Sequence, residues 1–282
     1  MSVIEKLLQG SIDMHIHSGP DTILERRVDA LQAARQAQEV GMRAIVLKSH
    51  EYPTAPLAYI VSREARNIAV FGSICLNLEI GGLNTHALEA SAKLGAKVVW
   101  MPTFSSANDM RKKGLTGEGI TILDGEGKLL PVVEEILDIV KTYQMVLATG
   151  HLSPSESFAL VDEAIRKGIS KIVITHALGD MPGISYLSLE ESCRMAEKDT
   201  FIEHCFSRTM PFRGLDPMDI VEWVRALGAE HCIMSTDLGQ ALNPAPAEGM
   251  RMMIATMLGC GLTEKEIELM VKVNPAKLLG LD

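Results

Sequence analysis

The chain has 282 residues, 47% of them hydrophobic and 22% charged, with a mean hydropathy of +0.15. That is a globular composition able to bury a large core, and it excludes a disordered chain. Its 27 basic residues stand against 36 acidic ones, a net charge of −9, with no basic cluster. This argues against binding nucleic acid or an anionic membrane, while leaving open an anionic small molecule held where a metal inverts the local field.

The strand-like runs, in chain order, are Ile12–His17, Arg43–Lys48, Ile68–Leu76, Lys97–Met101, Met145–Thr149, Lys171–Thr175, Phe201–His204 and Cys232–Ser235. Most are near-continuous apolar runs, as in parallel strands buried on both faces. Between them lie helix patterns. Val28, Leu31 and Ala34 form an apolar stripe with Gly41 suited to the C′ position. Ser153, Pro154 and Glu156 form a capping box with proline at N1, Thr263 and Glu266 a second box, and Asn274-Pro275 opens a last helix ending at Gly280. Strands recur about every 30 residues, one βα unit each. The exception is an insertion after the fourth strand, residues 108–130, in which Ile120–Leu123, Asp124-Gly125 and Lys128–Leu130 read as a small hairpin, a lid or a decorated loop.

Eight βα units without a linker predict one domain over residues 1–282, a (β/α)8 TIM barrel of the α/β class; a doubly wound sheet is the competing architecture. No GxGxxG follows the first strand, against dinucleotide binding, and no GxSxG marks a nucleophilic serine. Ser49 beside His50 is adjacency, not a triad. The N-terminus shows no secretory signal, and no run reaches the ~18 apolar residues of a membrane span. Cys75, Cys193, Cys205, Cys232 and Cys260 are scattered, without a CxxC pair, and read as buried free thiols in a reducing cytosol. The expected location is cytoplasmic.

Six of the eight histidines fall at or just past the C-terminal end of a strand, the face where barrel active sites sit. His15 and His17 close the first strand, and residues i and i+2 share a face. His151 follows the fifth strand, His176 ends the sixth and Asp237 follows the eighth. Together these are N/O ligands suited to a divalent ion: zinc first, with manganese or iron as alternatives. His86, in a helix, and His231, at the start of the eighth strand, are expected to be structural.

This ordered set resembles the amidohydrolase superfamily of metal-dependent hydrolases, in its uncharacterised TIM-barrel branch, and the tail Asn274–Leu281 is similar to the end of many such enzymes. The resemblance implies that His15 and His17 bind the metal, with Asp237 as ligand, general base or both. It makes His151 a ligand to the same or a second ion, and His176 a second-site ligand or a group polarising the substrate. Many binuclear members carry a bridging lysine or glutamate at the end of strand four. Here Lys97 lies at its beginning, and Met101 to Thr103 offer no carboxylate, so a mononuclear site is the first expectation. Lys48, His50, Glu79, Glu203 and His204 remain candidates to complete a second site or bind substrate; for Glu79 and Glu203 a structural role is favoured, and for Lys48 a solvated loop position weighs equally. Asp13 and Thr149 are candidates to orient the histidines.

The expected function is hydrolysis of a C–N, C–O or phosphoester bond of a small molecule by metal-activated water, with Asp237 taking the proton and His176 or Lys48 stabilising the oxyanion. The alternatives are a metal-dependent lyase (a decarboxylase or hydratase) and a non-catalytic ligand-binding barrel. Met250, Met252, Met253 and Met257 suit a core helix better than a subunit interface; a homodimer is the default expectation, undecided by the sequence.

Overall fold

The computed structural model describes residues 1–178, 187–211 and 214–281. Its strands are β1 (Ile12–His17), β2 (Ala44–Lys48), β3 (Ala69–Phe71), β4 (Ser73–Cys75), β5 (Val98–Trp100), β6 (Val146–Ala148), β7 (Ile172–Ile174), β8 (Phe201–Cys205) and β9 (Cys232–Ser235). Each pairs in parallel with its sequence neighbours, in the orders β1-β2-β3 and β4 through β9. β3 and β4 are one barrel stave divided at Gly72, so the eight expected strands are present.

Two seams close the ring. Between β9 and β1, the Asp237 N–H donates to His15 O at 2.8 Å and the His17 N–H to Leu238 O at 2.8 Å. The buried Asp13 carboxylate latches this seam, accepting from the Thr236 N–H (3.0 Å) and hydroxyl (2.6 Å). Between β2 and β4, side chains replace the ladder: the Thr54 hydroxyl donates to Leu47 O and accepts from the Ser73 N–H, while Ser73 Oγ also donates to Leu47 O. The architecture is therefore the closed (β/α)8 barrel that the sequence pattern predicts.

Alternation along the strands builds two cores. Ile12, Met14, Ala44, Val46, Cys75, Val98, Trp100, Val146, Ala148, Val173, Phe201 and Ile233 fill the barrel, with Ala276, Leu278 and Leu279 of the last helix (Asn274–Leu279) packed against them. Ile16, Ile45, Leu47, Ile74, Val99, Leu147, Ile172, Ile174, Ile202 and Met234 point the other way, toward the helices. Each such aliphatic side chain contributes about 1.5–3 kcal/mol by leaving water.

A one-residue bulge in β1 positions the site. Asp13 pairs with Ile45 but Ile16 pairs with Leu47, so β1 carries an extra residue between them. Ile12, opposite Ala44, faces the interior. After the bulge His17, opposite Lys48, does so as well. Without that residue His17 would fall on the helix-facing side; bulges re-aim side chains in this way beside functional sites.

The capping boxes at Ser153/Glu156 and Thr263/Glu266 form, and the last helix stops at Gly280. The first long helix differs from expectation. It runs Ala30–Glu39 behind an Asp29/Gln32 capping box, so Val28 precedes it, and its buried stripe is Ala30, Ala33, Ala34 and Ala37. Met250, Met253 and Met257 are buried in the helix Pro246–Gly259, while Met252 is partly exposed. All five cysteines are free thiols; Cys75, Cys205 and Cys232 are buried, whereas Cys193 and Cys260 are only partly so, because both lie on the outer helical layer. In the insertion, a helix (Ala107–Lys112) precedes a minimal hairpin, bridged at Leu123–Leu129 and turned by the Asp124 carboxylate, which accepts from the Glu126 and Lys128 N–H groups. No helix among the described residues is long and apolar enough to cross a membrane.

Candidate metal centre and cavity

The C-terminal ends of the strands surround a cavity of about 240 Å³ lined by His17, Arg26, Lys48, His50, Phe104, Lys113, His151, His176, Ser207, Arg208 and Asp237, among others. At its floor three donor atoms converge. Nε2 of His15 and Nε2 of His17 each stand 3.1 Å from Asp237 Oδ1, and Nε2 of His176 lies 3.9 Å from Asp237 Oδ2. Among the described residues two groups have metal-ligand spacing: His15, His17 and Asp237, and His15, His176 and Cys205.

The surroundings bear on whether an ion fits. His15 Nδ1 faces the Glu203 carboxylate at 3.2 Å. A proton held there leaves the Nε2 lone pair toward Asp237, the usual arrangement behind a metal-bound imidazole. Burial depresses the pKa of His17, to about 3, and those of His50, His151 and His176, against the pull of nearby carboxylates, so these rings are neutral near pH 7. His15 goes the other way: burial and the Lys48 charge oppose protonation, but Glu203 and Asp237 outweigh them and raise its pKa. Burial likewise works against ionisation of Asp237 and Glu203, yet the charge and hydrogen bonds of His15 hold both below the usual range, Asp237 far below with help from His17 and His176. His15 Nε2 is also approached by Lys48 Nζ at 2.8 Å. A carboxylate asks that nitrogen for a proton and an ammonium asks it for a lone pair, and one atom cannot satisfy both. A divalent ion accepting from both imidazoles and Asp237 removes the conflict, so the donor set fits a metal, with a proton and Lys48 as its competitors at His15.

The backbone is shaped around this point. His176 and Asp237 both adopt left-handed conformations, φ 50° and 49°, which cost a non-glycine residue of order 1 kcal/mol or more. Gly239, φ 141°, lets the loop after β9 pass so close to β1 that a Cβ there would lie 1.9 Å from His17 O.

The remaining side chains fall as follows. Lys48 is buried, 2% exposed, over the Trp100 ring rather than in a solvated loop. His50 stacks on Phe104 and on His17. Thr103 Oγ1 accepts from Asn77 Nδ2 and shares a hydrogen bond with His50 Nδ1, which fixes the orientation of the ring. His151 Nδ1 lies 3.3 Å from the buried Asp109 carboxylate. Glu79 is exposed in a 3-10 turn and does not line the cavity. His204 points away toward the helices, with no hydrogen-bond partner for either ring nitrogen among the described residues. Asp13 accepts from the His15 backbone rather than its ring, and Thr149 accepts from the Thr175 N–H; the carboxylates behind the Nδ1 atoms are Glu203 for His15 and Asp109 for His151. Lys97 lies over Phe71, and the end of β5 offers Trp100, Met101 and Thr103 but no carboxylate. His86 is exposed in its helix, and His231 sits in the turn before β9.

Residues 10–203 match the sequence profile of a family described as a family of unknown function (DUF6282). No curated protein matches the sequence. Among solved structures, an amidohydrolase from Pseudomonas aeruginosa superposes with a TM-score of 0.67 at 14% identity, over 99% of this chain and 98% of that one. The probable dipeptidase PvdM from Pseudomonas aeruginosa gives 0.65 at 13%, over 98% and 96%. A 2,6-dihydroxybenzoate decarboxylase from Rhizobium gives 0.54 at 13%, over 97% and 99%. At these identities the likeness is one of fold, the amidohydrolase-type barrel that the strand-end histidines resemble.

Proposed function

We propose that this chain, which belongs to a family of unknown function (DUF6282), is a metal-dependent enzyme that hydrolyses a C–N, C–O or phosphoester bond of a small molecule. The observation that carries this reading is the convergence of His15 Nε2 and His17 Nε2 on Asp237 Oδ1, 3.1 Å each, at the floor of the cavity. His15, His17 and Asp237 would hold the ion, with His176 beside them. When bound, a divalent ion such as zinc supplies Lewis acidity, making water a nucleophile near neutral pH and drawing charge from the bond to be broken.

The chain's own groups do the rest. Asp237 stays ionised across the physiological range, and its Oδ2 already accepts from Ser207 Oγ at 2.7 Å; it is the group placed to take the proton of an attacking water. His176, neutral and at the cavity wall, and Lys48 are placed to donate to an oxyanion as it develops. Glu203 fixes the His15 ring. A lyase on the same scaffold is the second reading, favoured by the absence of a bridging carboxylate at the end of β5; a decarboxylase is among the barrels of this fold.

The test is metal content after purification without a histidine tag or chelator, beside a His15→Ala/His17→Ala double variant. About one stoichiometric ion, lost in the variant, is the expected result. No metal in either protein, and no uptake of added zinc or manganese, would remove the mechanism and leave only the barrel. Product analysis then separates hydrolysis from lysis.

A further inference from the structure

The chain is acidic overall, −9, yet its cavity is lined by four cations, Arg26, Lys48, Lys113 and Arg208, against the single carboxylate of Asp237. The four come from separate segments: the loop after β1, the end of β2, the insertion after β5 and the turn after β8. Three are nearly buried; the side chains of Arg26 and Lys113 are 3% and 34% exposed, and Lys48 and Arg208 are 2% and 3% exposed as residues. Burying a cation is costly unless an anion answers it. Arg26 is held by Asp21 (2.7 Å) and Lys113 by Asp109 (2.7 Å), neither of which lines the cavity. Lys48 has no carboxylate within ion-pair distance among the described residues; its partners are the His15 ring and the face of Trp100. Asp237, the one acid in the wall, is already engaged by His15, His17 and Ser207.

Resting on the reading of this cavity as the reaction site, we infer that its substrate is a small organic anion, held through a carboxylate or phosphate group by Arg26, Lys48, Lys113 and Arg208. Guanidinium and ammonium groups together match either oxyanion. The volume, below the ~300–1,000 Å³ of pockets for drug-sized ligands, sets the size as compact. The His50 imidazole lines the same wall.

Isothermal titration with succinate, inorganic phosphate and the neutral succinamide tests this, on protein as purified and after chelator treatment. At least one of the two anions is expected to bind in both preparations, and succinamide roughly tenfold or more weaker, as loss of charge-assisted hydrogen bonds requires. Binding of succinate alone identifies a carboxylate group, and binding of phosphate alone a phosphoryl group. Arg26→Gln and Lys113→Gln should each weaken the bound anion by about tenfold; should Arg26→Gln fail to fold, Lys113→Gln, at the rim, carries the same comparison. Equal affinity for succinamide, no anion binding in either preparation, or anion affinity unchanged in the folded variants would overturn the inference. Because the chelated protein is included, a metal-loaded protein that binds no anion sinks this inference alone, and anion binding by a protein that neither carries metal as purified nor takes up added ion sinks the metal mechanism alone.

Discussion

Glu203 and His204 are neighbours on β8 and meet opposite environments. Glu203 faces the barrel interior and grips His15; His204 faces the helices, where burial without a partner drives its pKa down to about 4. The unfolded chain takes up a proton at such a histidine near pH 6.5, and the folded chain only near pH 4. As pH falls between those values the unfolded state binds more protons, so the folded state loses stability, by up to about 3 kcal/mol. His204→Leu removes that difference. Denaturant melts at pH 7.5 and pH 5 should show a smaller acid loss in the variant than in the wild type, and an equal loss would mean that His204 does not carry the effect. At this scale the sequence was half legible. HxH, His176 and Asp237 were visible because strand-end residues share a face of the barrel. Which of Glu203 and His204 turns inward was not, because β8 is buried on both sides and its alternation has no polar face to read. Asp109 and Lys113 were hidden in a segment readable only as an insertion.

The elements owe their form to a few irregular positions. The β1 bulge decides that His17 meets Lys48, its register partner on the adjacent strand β2, at the barrel mouth. Gly72 divides the third stave because the start of the preceding helix (Ala55–Glu64) comes against it: a Cβ there would lie 2.3 Å from Ala55 Cα and 2.4 Å from Ala55 N. The Thr54 hydroxyl uses that approach to bridge β2 and β4. Gly72→Ala should therefore cost about 1–3 kcal/mol, as overpacking does, and lower the melting temperature by roughly 2–4 °C per kcal/mol. A calorimetric scan checks this, and an unchanged melting temperature would show that the neighbouring backbone yields freely. The strand cores were legible in the sequence as apolar runs. The bulge and the break were not, since each depends on a partner strand or helix remote in the chain.

For the whole molecule, the proposed metal and the fold would be linked. The candidate donors from β1 and from the turn after β9 straddle the seam that closes the ring, so an ion bound there would favour the closed barrel over the unfolded chain. At a hundred times Kd the gain is about 2.7 kcal/mol. Chelation should lower the melting temperature by several degrees, zinc or manganese should restore it, and the His15→Ala/His17→Ala protein should respond to neither. A wild-type melting curve indifferent to chelator and metal would mean that no ion distinguishes the folded state. The eightfold series of βα units was legible from periodicity and predicted the closed barrel, but periodicity alone left a doubly wound sheet in competition; the β9–β1 hydrogen bonds decide between them.

The position of the donor set at that seam also has a consequence in time. His17 and Asp237 are 220 residues apart, about 10–40 s of synthesis at ~5–20 residues per second. Through that interval the growing chain carries two imidazoles and no carboxylate to complete the set, and a nascent chain cannot trap an ion in a finished site. On the proposed reading, loading would be deferred until the last stave has left the ribosome and docked against the first, and metal uptake would become a timestamp of completed folding.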